Sequence, residues 1–278
     1  MLRRYRRLRT PLYWTLTVVG TVYCALTIAG VTGVGGCGGP IVACDAASYY
    51  YLDETPYDWT DSPPGVPPFR YAPLFIWVTA PLRLLGFDAF VWVWAALHVI
   101  VLIWLRAGWM LAIPGLNEDV IRGNINVFIA ALLVLAVRYA AAWAPILLTK
   151  ITPVVGLLWH AVRGEWSALA VAYIATVGIA AVGIMLNPDL WLAWITAVFT
   201  APENYAGVDN FLPLSVRILM SAGVVVYAGR TSRAWLLPVG ILVGWPGLLP
   251  PALMMLAAIP RLSKFSRSID PPAGWARR

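Results

Sequence analysis

Long apolar runs separated by short polar segments dominate the chain. The runs cover residues 12–34, 71–85, 89–105, 125–137, 166–186, 213–228, 235–249 and 250–259. A helix that spans a bilayer needs about 20 predominantly apolar residues, and several of these runs are shorter than that or interrupted by proline. Broken helices are tolerated at membrane depth only where protein or a water-filled cavity satisfies their freed backbone groups. The pattern predicts an all-α polytopic membrane protein with about 8–10 transmembrane or re-entrant helices.

Two segments depart from the pattern of simple spans. Only 24 residues separate Arg138 from Arg163, whereas two full crossings need about 40. We therefore predict a short helical hairpin here, with its tip near residues 150–153. Residues 187–212 mix aromatic and polar positions, which is typical of an amphipathic helix lying in the interface.

Positive charge is concentrated at the two ends of the chain, in residues 1–11 and 261–278. Because cytoplasmic segments next to membrane helices carry an excess of Lys and Arg, this pattern predicts that both termini face the cytoplasm. It explains the net charge of +7 without a nucleic-acid partner. The first apolar run is too long for the core of a signal peptide, so we expect a retained membrane anchor.

The overall composition supports a membrane protein. Hydrophobic residues make up 60% of the 278 residues and charged residues 12%, with a mean hydropathy of +0.75, whereas about a quarter of a soluble domain is charged. We therefore interpret residues 1–278 as one integral membrane domain with external loops at 35–72 and 187–212. The segments 1–11 and 261–278 are its cytoplasmic ends. No phosphate-binding glycine motif follows a predicted strand, so nucleotide-dependent chemistry is not expected.

The first external loop carries the most distinctive polar chemistry. Between two hydrophobic walls it contains five acidic residues, which are Asp45, Asp53, Glu54, Asp58 and Asp61. Asp45 is followed closely by three tyrosines, and a carboxylate held at a membrane boundary beside aromatic rings could serve as a general base. Its alternative role is the N-cap of a short helix. We expect the other four acids to be solvated loop charges, although one of them could substitute for Asp45.

Three cations lie at positions where charge is costly. Lys150 sits at the predicted hairpin tip, Arg217 lies inside the apolar run 213–228, and Arg122 lies just before the run 125–137. Because an ionisable group at membrane depth is expensive, it suggests a functional site. Lys150 and Arg217 together could bind a lipid-linked phosphate through charge-assisted hydrogen bonds. The alternatives are a snorkelling lysine and ordinary interfacial arginines.

The cysteines and histidines are few. Cys24 lies inside the first apolar run, where we expect a small buried residue, whereas Cys37 and Cys44 flank a Gly-Pro loop on the outer side, where a disulfide is permitted. The two histidines, His98 and His160, are far apart on apolar stretches, so we expect core histidines and no metal site.

Four short motifs occur in order along the chain. They are Asp45…Tyr49-Tyr50 with Pro56-Tyr57 and Phe69-x-Tyr71-x-Pro73, then Gly123-Asn124-x-Asn126, then Lys150-x-x-Pro153, and finally Asn210…Ser215-x-Arg217. The series resembles the GT-C membrane glycosyltransferases, and most closely glycosyltransferase family 87, the polyprenyl-phosphate-mannose-dependent mannosyltransferases. The resemblance covers roughly residues 40–260. One departure is Asn124, which stands where that family has glutamine.

The resemblance implies a GT-C-like fold and an inverting, metal-independent transfer of a hexose, with mannose as the family's usual sugar. Asp45 would be the catalytic base, and Lys150, Arg217 and Arg122 would stabilise the departing phosphate. The residues implied to contact the sugar or the acceptor are Tyr49, Tyr50, Tyr71, Asn124, Asn126 and Asn210. No cofactor is implied. The partners would be membrane lipid, a polyprenyl-phosphate sugar donor and a glycan or glycolipid acceptor, at the outer face of the plasma membrane.

Two other classes of protein remain open from the sequence. A transporter or flippase for a lipid-linked or anionic substrate would also use broken helices and a lysine near the midplane. The lack of an internal repeat and the gathering of acidic residues on one predicted face count against it. A non-catalytic, diverged family member is the third possibility, because the chain is short.

Overall fold

The computed structural model describes residues 2–30, 42–52, 56–57, 69–200, 212–245 and 250–266. Within these residues every regular element is helical, so the expected all-α fold is confirmed. Several residues singled out from the sequence lie outside the described part of the chain, namely Cys37, Asp53, Glu54, Asp58, Asp61 and Asn210.

The helices range in length from five to 27 residues. In chain order they are α1 (Leu2–Ile28), α2 (Cys44–Tyr50), α3 (Pro73–Arg83), α4 (Phe87–Leu105), α5 (Glu118–Arg122), α6 (Asn126–Ala136), α7 (Trp143–Thr149), α8 (Leu158–Val162), α9 (Trp166–Leu186), α10 (Pro188–Thr200), α11 (Leu214–Arg230), α12 (Leu237–Val243) and α13 (Ile259–Phe265). Short 3-10 segments join them at Gly108–Ala112, Ala140–Ala142, Thr152–Leu157, Ala234–Leu236 and Pro250–Ala258.

Three helices of the described chain are long and apolar enough to cross a bilayer. They are the Thr10–Ile28 part of α1, together with α4 and α9. Only 11% of the α9 segment is buried inside the protein, and its exposed side chains include Tyr173, Ile174 and Leu186. Such a surface is suited to hydrocarbon, so this protein is an integral membrane protein with several crossing helices.

The hairpin predicted between Arg138 and Arg163 is confirmed. Helix α7 ends at Thr149, and its C-cap residue Lys150 has an extended backbone (φ −145°, ψ 133°). A 3-10 segment with Pro153 in its first turn follows and leads into α8. Because proline lacks an N–H donor, it is well accommodated at the start of this second arm. The break leaves Lys150 at the tip of the hairpin.

The centre of the bundle is formed by α6 and the 3-10 segment Pro250–Ala258, which pack against each other. Leu133 of α6 and Met254 and Met255 of the 3-10 segment are fully buried. Helices α4, α7 and α12 surround α6. Asp45, Asn124 and Lys150 of the predicted site lie on or close to the ends of the short helices α2, α5 and α7.

Helix α1 packs against the segment Gly108–Ala112 through a close approach at Gly20. A Cβ atom at Gly20 would lie 2.5 Å from the Cβ of Leu111. Real atoms do not approach this closely, so the two backbones touch only because residue 20 has no side chain.

We expect Gly20→Ala to destabilise the protein by about 1–3 kcal/mol, because the added methyl group forces α1 away from Leu111. The matched control is Gly178→Ala in α9, where a Cβ would meet nothing within 4 Å and alanine favours the helix. The measurement is the thermal unfolding midpoint of both variants in detergent. Equal midpoints for the two variants would contradict this account of the packing of α1.

Candidate active site

Asp45 lies in the first turn of α2, and α2 is fastened to the segment that follows α5. The N-cap of α2 is Ala43, which adopts a left-handed backbone (φ 54°) and donates its N–H to the carbonyl of Ile121 at 2.8 Å. The alternative interpretation of Asp45 as an N-cap is therefore wrong. Its half-buried carboxylate instead accepts a hydrogen bond from Asn124 Nδ2 at 2.9 Å.

The turn at residues 123–126 orients the Asn124 amide toward Asp45. Gly123 has a positive φ of 75°, and a Cβ there would lie 2.7 Å from the Cβ of Ala46. The Asn124 Oδ1 atom accepts the backbone N–H of Ile125 at 2.7 Å. Because one end of the amide is occupied by a backbone donor, the NH₂ end must face the carboxylate.

Asp119 is a second carboxylate beside this turn, and it is completely buried. It accepts hydrogen bonds from Asn126 Nδ2 at 2.8 Å and from the Val127 N–H at 3.1 Å. The backbone carbonyl of Asp119 accepts the N–H of Asn124 at 2.8 Å. Asn126 is only 2% exposed, so it fastens the start of α6 to α5 in this structure, contrary to its expected contact with a sugar.

Tyr49 and Tyr71 belong to a buried aromatic cluster instead of an open sugar-binding shelf. Tyr49 is fully buried, with ring centroids 4.9 Å from Phe75 and 5.8 Å from Trp94. Its hydroxyl lies 3.2 Å from that of Tyr71. No face of the Tyr49 ring is therefore free to stack on a sugar, and the expectation that it does so is corrected.

Tyr50 points toward the turn between α3 and α4. Its hydroxyl donates to the carbonyl of Leu85 at 2.9 Å, and its ring contacts Phe87 at a centroid distance of 5.2 Å. Tyr50 therefore holds α2 in place on the side that faces this turn.

Lys150 is held at the hairpin tip by two aromatic rings. Its Nζ lies 4.3 Å from the ring centroid of Trp245 and 5.8 Å from that of Tyr71, which are cation–π distances. None of the ion pairs among the described residues includes Lys150. Its charge nevertheless interacts with those of Asp45 and Asp119. Residues more than 100 positions apart thus place a carboxylate and an ammonium in one site.

Arg217 reaches the same region through Trp245. Its guanidinium is 5% exposed and donates to the backbone carbonyls of Val243, at 3.3 Å, and of Trp245. It therefore holds the end of α12 in position, and with it the ring that covers Lys150.

Arg122 is placed differently from the other two predicted cations. It forms an ion pair with Glu118 at 3.5 Å, and both side chains are 27% exposed. Its charge still acts on Asp45. Of the three cations, Lys150 and Arg122 therefore interact electrostatically with Asp45, and Arg217 supports the ring of Trp245.

The family model for glycosyltransferase family 87 matches residues 69–267, well over half of the chain. This chain belongs to glycosyltransferase family 87. It is therefore a membrane glycosyltransferase. No curated protein and no solved structure matches it. The matched region includes Asn124, Lys150 and Arg217 but begins after Asp45.

Several residues of this family 87 site were missed by sequence reasoning. Asp119, His98 and Trp94 lie behind Asn124, and Trp245 covers Lys150. The Trp94 Nε1–H donates to the carbonyl of Gly123 at 2.8 Å. Asp119 stands in a short polar segment with no motif around it, and Trp245 is one of 15 tryptophans. The charge of Arg70 acts on Lys150. The sequence could have indicated this residue, because Arg70 is the only cation of the first external loop.

The cysteines are consistent with the expected loop chemistry. Cys44 is disulfide-bonded, whereas Cys24 is a buried free thiol. The predicted partner Cys37 lies outside the described residues. In the part of the chain that the structure describes, no three His, Cys, Asp or Glu side chains are grouped as metal ligands, and a metal-independent reaction stays a prediction.

A groove with a cavity volume of about 710 Å³ lies between Tyr57 and α10. Its polar lining includes Asn187, Asp189, Thr196 and Thr200. Tyr57 donates its hydroxyl to the backbone carbonyl of Tyr71 at 2.7 Å. The groove therefore shares Tyr57 with the aromatic cluster beside Lys150. The helix expected within residues 187–212 is confirmed by α10.

Burial raises the pKa of the Asp45 carboxyl above its usual range, and the Asn124 hydrogen bond and the charges of Arg122 and Lys150 oppose that rise in part. A carboxylate with a raised pKa is a stronger base than an ordinary one. The same carboxylate is protonated, and lost as a base, at a higher pH than an exposed aspartate.

We expect Asn124→Ala to raise the pKa of Asp45 further, because the hydrogen bond that stabilises its charged form is lost. Glycosyl transfer would then decline with falling pH at a higher pH than in the wild-type enzyme. The measurement is the pH dependence of kcat/KM. Asn124→Gln, which keeps the amide donor, is the matched control and should shift the profile less. Superimposable profiles for Asn124→Ala and the wild type would contradict the assigned hydrogen bond.

Proposed function

We propose that this glycosyltransferase moves a hexose, and specifically mannose, from a polyprenyl-phosphate donor to a hydroxyl group of a glycan or glycolipid acceptor, with inversion at the anomeric carbon. The observation that carries the proposal is the placement of the Asp45 carboxylate and the Lys150 ammonium in one site. A base and a phosphate-binding cation are the two groups that such a transfer requires.

Asp45 would act on the acceptor. Its carboxylate takes the proton of the acceptor hydroxyl while that oxygen attacks the anomeric carbon on the face opposite the phosphate. The bond between the anomeric carbon and the phosphate oxygen breaks at the same time, and the electron pair leaves with the phosphate. One base and one displacement give a product of inverted configuration.

Lys150 would stabilise the departing phosphate. The faces of Trp245 and Tyr71 hold its ammonium in place, and this contact leaves its N–H donors for an anion. Charge-assisted hydrogen bonds to phosphate strengthen as negative charge develops on the leaving oxygen. Arg122 would add long-range positive charge. Arg217 would act by holding Trp245, which its two backbone hydrogen bonds favour.

We place the acceptor in the groove beside α10. Its volume of about 710 Å³ lies in the range of small-molecule sites, about 300–1,000 Å³. The amide, carboxylate and hydroxyl groups of its lining could bind the hydroxyls of a sugar. Tyr50, Tyr71 and Asn124 would support this side of the site, and Asn210 would contribute from the segment that follows α10.

The reaction would take place at the outer face of the plasma membrane, without a metal or another cofactor. The basic ends of the chain favour the cytoplasmic side, and in that orientation the loops that carry Asp45 and α10 would lie on the opposite side. A leaving phosphate monoester can be neutralised by protein cations, and Lys150 and Arg122 supply them.

We expect Asp45→Asn to reduce transfer by about 100- to 10,000-fold, because the amide cannot take up the acceptor proton. Asp88→Asn, the same change at an exposed aspartate in the first turn of α4, is the matched control and should leave transfer unchanged. The measurement is kcat for sugar transfer in membranes supplied with polyprenyl-phosphate-mannose. Full turnover by a folded Asp45→Asn variant would reject Asp45 as the base.

Lys150→Ala should reduce transfer by about 100- to 1,000-fold, because the developing phosphate charge loses its cation. Lys150→Arg keeps the charge and should recover part of the rate, whereas Lys264→Ala on α13 serves as the control. Donor uptake and product formation are measured in the same proteoliposomes. Uptake lost with Lys150, in a protein that never forms a glycosylated product, would favour a transporter instead.

A further inference from the structure

The imidazole of His98 is buried directly behind Asn124, and both of its nitrogens contact backbone carbonyl oxygens. Nδ1 lies 2.7 Å from the carbonyl oxygen of Trp94, and Nε2 contacts the carbonyl oxygen of Asn124. Carbonyl oxygens only accept hydrogen bonds, and a neutral imidazole has one N–H. Both contacts are hydrogen bonds only when both nitrogens carry a proton.

An acidic side chain lies beside His98. Asp119 Oδ2 lies 3.9 Å from His98 Nε2, and both side chains are completely buried. Burial and the negative charge of Asp45 raise the pKa of Asp119 well above its usual range, whereas the hydrogen bonds from Asn126 and the Val127 N–H and the charge of Lys150 lower it in part. The two hydrogen bonds that the carboxyl group accepts and a proton on His98 would each stabilise its charged form. A buried charge is tolerated when it is paired and hydrogen-bonded.

The ring of Phe128 adds to this environment. Its centroid lies 4.5 Å from that of His98 in a T-shaped contact. This contact packs the imidazole against α6 and limits its rotation. The two backbone carbonyls and the neighbouring Asp119 thus suit a positively charged His98.

We propose that His98 is a positioning residue, held as an imidazolium beside Asp119, and that it fixes the Asn124 turn and through it the orientation of Asp45. Its Nδ1–H donates to the Trp94 carbonyl within α4, and its Nε2–H donates to the Asn124 carbonyl. The Asn124 side chain in turn donates to the Asp45 carboxylate at 2.9 Å. The positioning role rests on the proposed function of Asp45. The protonation state of His98 does not.

His160 provides an internal reference, because its surroundings require the opposite state. Trp143 Nε1–H donates to His160 Nε2 at 3.1 Å, so Nε2 must be an unprotonated acceptor. Its Nδ1 lies 2.7 Å from Glu165 Oε2 and serves as the donor. The hydrogen bonds therefore define His160 as a neutral imidazole protonated at Nδ1.

The first experiment is nitrogen NMR of the wild-type protein labelled with ¹⁵N-histidine at neutral pH. The chain contains only two histidines, so the spectrum has two ring systems, and His160→Gln or His98→Gln assigns them by removing one. We expect two protonated ring nitrogens at His98 and one at His160. An unprotonated nitrogen at His98 would overturn the proposed imidazolium, whatever the enzyme does.

The second experiment measures transfer by His98→Gln, whose side chain cannot donate in both directions and carries no charge. We expect kcat to fall about 100-fold, the effect of a misplacement of about 1 Å, with KM for the donor nearly unchanged and a shifted acid limb of the pH profile. His160→Gln also removes a buried imidazole but should leave the pH profile in place. An unchanged kcat and pH profile in folded His98→Gln would overturn the positioning role.

The two experiments separate the inference from the function on which it builds. If the wild-type protein transfers no sugar, the proposed function fails while the NMR result still decides the state of His98. If transfer is present and requires Asp45 but not His98, only the positioning role fails.

Discussion

The site depends on one hydrogen-bonded side chain, the amide of Asn124. Its oxygen accepts the N–H of Ile125, and its nitrogen donates to Asp45 at 2.9 Å. The amide thus ties the start of α6 to a helix that lies about 80 residues earlier in the chain. Buried polar groups stabilise one arrangement when all their partners are present and are costly when one is missing. The orientation of Asp45 is therefore a property of the whole network behind it.

A second constraint concerns positive charge near the membrane. Lys150 is held by aromatic faces and Arg217 by backbone carbonyls, and both arrangements meet at Trp245. Aromatic rings stabilise a cation without neutralising it. The charge of Lys150 can therefore still bind an anion. Arg163, by contrast, already forms an ion pair with Glu165 at 2.7 Å. The division agrees with a site for a lipid-linked phosphate.

Much of the fold could be predicted from the chain, and so could part of the site. The apolar runs predicted the helices, and the 24 residues between Arg138 and Arg163 predicted the hairpin, because bilayer thickness sets the length of a span. The cost of charge at membrane depth singled out Lys150, which the structure places at the hairpin tip beside Trp245, and its role in phosphate binding stays a prediction. The predicted sugar contacts were wrong for Tyr49 and Asn126. The same sequence pattern allows a polar or aromatic side chain of an external segment to face either a ligand or a buried neighbour.

By itself, the sequence determined the helical membrane class and the hairpin between Arg138 and Arg163, and it identified the candidate base and cation. These follow from local hydrophobicity and from the cost of charge in an apolar medium, which are properties of single segments. Tertiary structure alone decided that His98, Asp119 and Asn124 support Asp45 and that Trp245 covers Lys150. Hydrogen bonds and cation–π contacts join residues that are distant in the chain, so they exist only once the helices have packed.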